Sequence, residues 1–250
     1  MARRGSADVA FVLMSGWDVR GTLTAMAESK EAVIEQTDTL GDTWQEHSYV
    51  GVRRGTLQVD GFFDDNMGTS ADAVPGHGAL TTGPGTAKVL CYGLDGTATG
   101  AEFVGWSSGM QAAYTCLAER GALHKVRANF QTAGPIDVGK ILRTWKVHTA
   151  TGDATDAPVD WAVSTTGGAA YLQYSASAGE ANIRVLHSSD NITYATLFTF
   201  TKTASGRSAE RLTTTGVIER YTAVGVTTAS ATGAIAALNT MVGLARGLTT

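Results

Sequence analysis

Leu123-His-Lys-Val-Arg-Ala-Asn-Phe-Gln-Thr132 alternates without a break. Val126, Ala128 and Phe130 fall on one side, and Lys125, Arg127, Asn129 and Gln131 on the other. Successive side chains of a strand point to opposite faces. The pattern therefore predicts a strand with one packed face and one face that is wet or meets another subunit. The same reading extends outward in both directions. Ala87–Leu94, Ala101–Trp106 and Gln111–Leu117 read as neighbouring strands, parted by the turn signals Asp95-Gly96 and Ser108-Gly109. Arg54–Phe63 is another strand, with Leu57 and Val59 on one face. Near the start, Val9, Phe11 and Leu13 alternate with Ala10, Val12 and Met14 and run into a turn at Gly16-Trp17-Asp18.

Helical signals are poor. Ala25–Glu35 has helical composition, but Val33 and Ile34 interrupt an otherwise polar face. Asn66–Leu80 could hold a short helix, but Gly68, Pro75, Gly76 and Gly78 favour a loop. The expected fold is mainly β, a sandwich or barrel with at most one short helix. The composition of the 250-residue chain agrees. It has 30 Gly and only 17% charged residues, against roughly 25% in an ordinary globular protein. With 43% hydrophobic residues and a net charge of −4, a disordered tail, a coiled coil and a basic nucleic-acid module are excluded. Two cysteines, Cys91 and Cys116, exclude a disulfide scaffold and are expected to be small buried hydrophobes. No run approaches the ~20 apolar residues of a membrane-spanning helix, and Ala7–Val19 does not read as a secretory leader, so synthesis in a cytoplasm is expected.

A composition shift comes at Thr149–Pro158, which holds no apolar residue larger than Ala. It reads as a linker or a long exposed loop, and predicts a first region over 1–148, a connection over 149–160 and a second region over 161–250. In the second region Ala169–Ser175, Ala181–His187, Ile192–Thr201, Val217–Thr227 and Ile235–Leu244 read as five strands. Ser188-Ser189-Asp190-Asn191 makes a strong turn between two of them. Turn signals spaced by ~8–12 residues predict a β-sandwich.

Catalytic chemistry finds little support. The five histidines, at 47, 77, 124, 148 and 187, follow no metal-ligand spacing. Asp64-Asp65 and the group Asp153, Asp156 and Asp160 are acidic clusters, but neither has the loop pattern that calcium needs, and both read as solvated turn carboxylates. Gly105-Trp-Ser-Ser-Gly109 has the serine spacing of a nucleophile elbow, yet it sits in a predicted hairpin rather than at a strand-to-helix turn. No cofactor or metal site is expected. The five tryptophans, 17, 44, 106, 145 and 161, read as core filling or as the exposed platforms of a sugar-binding sandwich.

One stretch carries a resemblance. Leu40-Gly-Asp-Thr-Trp44 is followed by a strand that ends in Gly61-Phe-Phe-Asp-Asp65. This resembles the major tail, or tail tube, proteins of long-tailed bacteriophages. Gly121–Phe130 and Gly139-Lys-Ile-Leu142 continue the likeness, and His187–Leu197 resembles the β-sandwich appended to some of those proteins. The resemblance implies a subunit whose sheets join into a ring around a channel, with rings stacking into a virion tail through which genomic DNA passes unbound. It further implies a homo-oligomer, either hexameric rings or trimeric rings with pseudo-sixfold symmetry, and tape measure, tail terminator and distal tail proteins as partners. On this reading Trp44 and Tyr49 anchor a ring-to-ring loop, Phe62 and Phe63 pack the sheet end, and either Asp64 and Asp65 or Glu35 and Asp38 are the channel-facing acids. Thr37–Val52 and the arm Ala2–Ala7 are the segments expected to order on assembly. The rival expectations are a carbohydrate-binding or capsid-decorating β-sandwich, with Trp161 and Tyr194 as contact residues, and a hydrolase with an appended module.

Overall fold

A computed structural model describes residues 11–20, 23–36, 47–62, 87–93, 96, 98–117, 122–147, 156–176, 181–202, 206–228 and 238–247. Its elements are all strands. They are β1 Val12–Met14, β2 Trp17–Asp18, β3 Leu23–Gln36, β4 His47–Phe62, β5 Lys88–Gly93, β6 Glu102–Leu117, β7 Lys125–Thr132 and β8 Ile136–Val147, followed by β9 Val159–Asp160, β10 Gly168–Ala176, β11 Ala181–Ser188, β12 Ala195–Lys202, β13 Gly206–Thr214, β14 Tyr221–Thr228 and β15 Asn239–Arg246.

One large antiparallel sheet runs β13-β10-β15-β8-β6-β5-β1-β2. Its centre is β6. The first half of β6 pairs with β8 over Glu102–Trp106 and with β5 over Phe103–Gly109. At Ser107 and Ser108 it exchanges backbone hydrogen bonds with Pro135 and Ala133, in the turn between β7 and β8. Beyond that point β7 replaces β8 as its neighbour, pairing with Gly109–Leu117. β7 then pairs with β4 and β4 with β3. Ala101–Trp106 and Gln111–Leu117 are thus one strand, not the two that the sequence suggests. Ser108-Gly109 is the place where the strand changes partners without turning. Ala25–Glu35 is strand as well: β-branched Val33 and Ile34 outweigh its helical composition, and its ladder with β4 supplies the hydrogen bonds a helix would have made internally.

Alternation along these strands feeds three cores. On one face, Val12, Met14, Leu90, Tyr92, Val104 and Trp106 meet Leu57 and Val59 of β4 and Ala128 and Phe130 of β7. The strand expected at Leu123–Thr132 therefore packs as read, with Val126, Ala128 and Phe130 buried. On the other face, Leu13, Cys91, Phe103, Ile141, Tyr171 and Met241 form a second cluster inside the curl of the sheet. The curl depends on missing side chains. A Cβ on Gly105 would stand 2.8 Å from the Tyr171 ring, and one on Gly243 would stand 2.4 Å from Phe103. The two aromatic rings meet edge to face at 5.8 Å.

The curl brings β10 back against the strands at the far side of the sheet. Gln173, fully buried on β10, fastens the two: its Oε1 accepts from the Gly16 backbone N–H at 2.7 Å, and its Nε2 donates to the Val89 carbonyl at 3.0 Å. Gly16 has φ +82° and follows Ser15 at φ 50°. The turn is therefore Ser15-Gly16, and Trp17-Asp18 returns as β2 rather than forming part of the turn. Arg207 of β13 covers the Trp17 ring at 3.8 Å.

A four-stranded sheet, β12-β11-β14-β9, closes the third core. Ile183, Val185, Phe198, Phe200, Val224 and Val226 pack against Leu142, Ala170, Leu172, Tyr174, Val242 and Leu244 of the large sheet. This is the sandwich expected for the second region, with β13 added at its edge. Asp190 organises the expected turn, its carboxylate accepting from the N–H groups of Ile192 and Thr193 and from the Ser188 hydroxyl. These bonds hold its pKa down at about 2.

The large sheet does not break between 1–148 and 161–250. β15, the last strand, pairs directly with β8. The connecting segment is likewise anchored: Val159 enters the third core, and the buried Asp156 carboxylate pairs with Arg143 and Lys146. Arg143 also donates to Thr240 Oγ1 and the Val147 carbonyl. Polar composition made this stretch look like a linker, but its carboxylate is the counter-ion of a buried arginine.

Two outcomes follow. Gln173→Ala leaves the Gly16 N–H without a partner and opens a void, so it is expected to cost about 3 kcal/mol in urea unfolding. Burial alone would raise the Asp156 pKa, but the hydrogen bonds from Lys146 and Arg143 outweigh burial and hold it below the usual 3.8. Its contribution to stability is complete above that value and is lost as pH falls through the lower folded-state pKa. Asp156→Asn should lower stability by about 3–5 kcal/mol at pH 7, through the uncompensated Arg143 charge, and should flatten the acid limb of the stability profile below the usual carboxylate pKa of 3.8.

Candidate assembly surface

β3, β4, β7 and the second half of β6 form a four-stranded antiparallel sheet in the order β3-β4-β7-β6. Its inner face carries Met26, Leu57, Val59, Ala128, Phe130 and Tyr114 against the first core. The Trp106 indole N–H donates to Glu28 Oε1 at 3.1 Å, which ties β3 down at this level.

The outer face is polar. By register it presents Ala25, Ala27, Ser29 and Glu31 from β3 and Arg54, Thr56, Gln58, Asp60 and Phe62 from β4. Beside them stand Lys125, Arg127, Asn129 and Gln131 from β7, and Met110, Ala113, Thr115 and Leu117 from β6. Charges here are mixed rather than acidic. Arg127 Nε donates to Asp60 Oδ1 at 2.6 Å and its Nη2 to Oδ2 at 3.3 Å. Arg127 lowers the Asp60 pKa, and Gln58 adds a further bond. A shallow groove crosses this face between Ala27, Ser29, Thr56, Gln58, Asn129 and Gln131.

Both margins of this sheet lack a strand partner among the described residues. β3 pairs with β4 alone, and Met110–Leu117 of β6 pairs with β7 alone. A row of unpaired N–H and C=O groups is a template for another chain. The β3–β4 ribbon also outruns its sheet. β7 covers β4 only from Thr56 to Phe62, whereas the β3–β4 ladder continues from Lys30↔Gly55 to Gln36↔His47. An isolated two-stranded ribbon is marginal in water.

Of the residues singled out from the sequence, Glu35 lies in this ribbon opposite Ser48, Tyr49 opposite Ile34, and Phe62 at the exposed end of β4. Trp44, Asp38, Phe63, Asp64 and Asp65 lie outside the described residues, as do Thr37–Glu46 and the arm Ala2–Ala7. Alternation alone could have pointed to Leu117, because it extends the pattern of β6 to the strand end. Cys91 is buried in the second core, and desolvation pushes its thiol up to about 12. Cys116 is exposed, contrary to expectation, because it stands beside the free margin of β6. Trp106 is core, as read. Trp161 is not a bare platform: Arg246 and Lys140 stand over its ring at 4.9 and 5.2 Å. The Tyr194 hydroxyl is bound to the Asn191 side chain. The histidines and carboxylates form no metal-binding group among the described residues. Ser107 lies mid-strand in β6, with no helix after it.

No family model and no curated protein matches the chain. Among solved structures it is similar to a chain of the tail of an empty gene transfer agent particle with C6 symmetry, at 16% identity and TM-score 0.40, over 54% of this chain and 97% of that one. A chain of the native gene transfer agent virion gives 14% identity and TM-score 0.39 over the same shares. The Dit protein of phage SPP1, titled a paradigm of hub adsorption apparatus in Gram-positive infecting phages, gives 16% identity and TM-score 0.33 over 95% of this chain and 99% of that one.

Lys30 and Gly55 are cross-strand partners, so replacing residues 31–54 by Asn-Gly closes a tight hairpin in register. This shortened variant is expected to unfold cooperatively, within about 1 kcal/mol of the parent, because a lone ribbon contributes little to the fold. Circular dichroism during thermal unfolding checks it.

Proposed function

We propose that this chain is a structural, non-enzymatic virion protein, the subunit of a bacteriophage tail tube. Copies join edge to edge into rings, and rings stack around a conduit for genomic DNA. The observation that carries this reading is the pair of margins on one sheet that lack a strand partner among the described residues. β3 and β6 lie on opposite sides of it and run antiparallel to each other, because an even number of antiparallel strands separates one side from the other. The β3 margin of one copy therefore meets the Met110–Leu117 margin of the next as an ordinary antiparallel neighbour. Such a contact is heterologous and closes into a ring when the rotation permits.

The outer face suits the bore of such a tube. Each bare lysine or arginine would add sequence-independent affinity for phosphate. Arg127 is already engaged by Asp60, and apart from Arg54 and Lys125 the remaining face is mostly short polar or small side chains. DNA would pass along it without a specific hold. On this reading the β10–β15 sandwich rides on the ring through the shared sheet. Hexameric rings, or trimeric rings of pseudo-sixfold symmetry, and tape measure, terminator and distal tail proteins belong to the same proposal, which also accords with the sequence resemblance at Leu40–Asp65.

Negative-stain electron microscopy of the purified protein across a concentration series tests it. Rings or tubes with a central channel are expected. A chain that sediments as a monomer at every concentration, with no ring in the images, would overturn it.

A further inference from the structure

We propose that His187 is a pH-sensitive latch: the neutral ring holds residues 215–220 across the end of the third core, and protonation frees them. This strap crosses from β13 in the large sheet to β14 in the small one, so it lies over one end of the sandwich. Its Ile218 is fully buried in the third core, with its Cδ1 2.6 Å from where a Cβ on Gly168 would stand. Val217 beside it is exposed. Three sets of bonds tie the strap down. Ile218 exchanges backbone hydrogen bonds with Ser164 at 2.9 and 3.0 Å. Arg246 donates to the carbonyls of Glu219 and Arg220. The Glu219 backbone N–H donates to His187 Nδ1 at 3.2 Å.

Of these ties, the last is the one that a proton can cut near neutrality. An N–H donor needs a lone pair, so Nδ1 is bare and the neutral ring carries its hydrogen on Nε2. Protonation turns Nδ1 into a donor that faces another donor. It also places a charge at the end of an apolar core, where it is costly. The surroundings give that charge little relief. β12 and β14 put Ala195 and Thr222 opposite His187, and neither titrates in this range. β15 brings Arg246 near the ring and the strap brings Glu219. Burial opposes the charged ring most strongly, Glu219 favours it and Arg246 opposes it, and the balance holds the ring below its ordinary 6.5. Attraction to Glu219 acts on a side chain and does not restore the backbone tie. The latch is therefore complete above pH 6.5 and is lost as pH falls through the lower folded-state value.

Amide hydrogen exchange of the full chain, read by mass spectrometry and corrected for the intrinsic rate at each pH, tests the latch. Protection of peptides covering 215–221 is expected to fall about tenfold between pH 7.5 and 5, while β10 and β15 stay level. In His187→Asn the side-chain oxygen can accept the same bond and does not titrate, so protection there should stay constant over that range. Deuteration of the His187 ring carbon Cε1, followed in the parent, gives the ring's own midpoint, expected within about half a pH unit of the loosening. Level protection in the parent, an equal fall in the Asn variant, or midpoints further apart than that would overturn the proposal. If the Asn variant does not fold, the two midpoints in the parent decide alone. None of these readouts depends on ring formation, so the tube reading stands or falls separately.

Discussion

β6 has to belong to two sheets at once, and the rest of the molecule follows from that. A strand has only two sides on which to make backbone hydrogen bonds. β6 gives one side to β5 and divides the other between β8 and β7, with the handover at Ser107 and Ser108. Its two faces are divided as well: Phe103 enters the curled cluster, while Val104 and Trp106 enter the core beneath β4 and β7. Its length is the reason a single chain carries both a curled, well-packed body and an open sheet whose margins lack a strand partner among the described residues. A break at Ser108-Gly109 would have separated the two.

The closed part is fastened by polar groups in apolar surroundings. Gln173 bridges the curl, and Asp137 does similar work near the rim. Its Oδ2 accepts from the Tyr171 hydroxyl at 2.5 Å and pairs with Arg211 at 2.8 Å, which joins β8, β10 and β13. Burial and the adjacent carboxylate push the Tyr171 hydroxyl far above its ordinary pKa, so it stays a donor. At the same end of these strands Arg246 donates to the carbonyls of Trp161, Glu219 and Arg220. Each group would be costly to bury alone. Together they specify which strands meet, whereas apolar contacts would tolerate neighbouring registers.

Much of this was legible in the chain. Period-two alternation located β7, aliphatic and aromatic runs between turn signals located β10, β11 and β15 to within a few residues, and Ser188–Asn191 announced its turn. What local pattern could not reveal was partnership. Nothing near Ser108-Gly109 distinguishes a hairpin from a strand that swaps neighbours, because the difference lies in β7 and β8, twenty-five residues away. Thr149–Pro158 lacks apolar bulk, and only the distant Arg143 makes Asp156 a buried counter-ion. β13 escaped notice because Arg207, Glu210 and Arg211 interrupt its alternation, although Arg207 covers the Trp17 ring and Arg211 pairs with Asp137. On the candidate surface, Tyr49 and Phe62 were picked out by motif, but the margin that gives them meaning is a property of the ladder. No motif marked Asp60, because its match with Arg127 lies across the strand pair.

The overhanging ribbon has a kinetic consequence. Among the described residues these two strands have no third to lean on and gain little from being ordered in an isolated subunit, so on the tube reading the entropy of fixing them is offset only when a neighbour arrives. A free pair of subunits recovers little of that cost, whereas the end of a growing polymer already presents a row of ordered neighbours. On the tube reading, growth from an existing end is then faster than formation of a first ring, which sets a threshold concentration below which subunits stay apart.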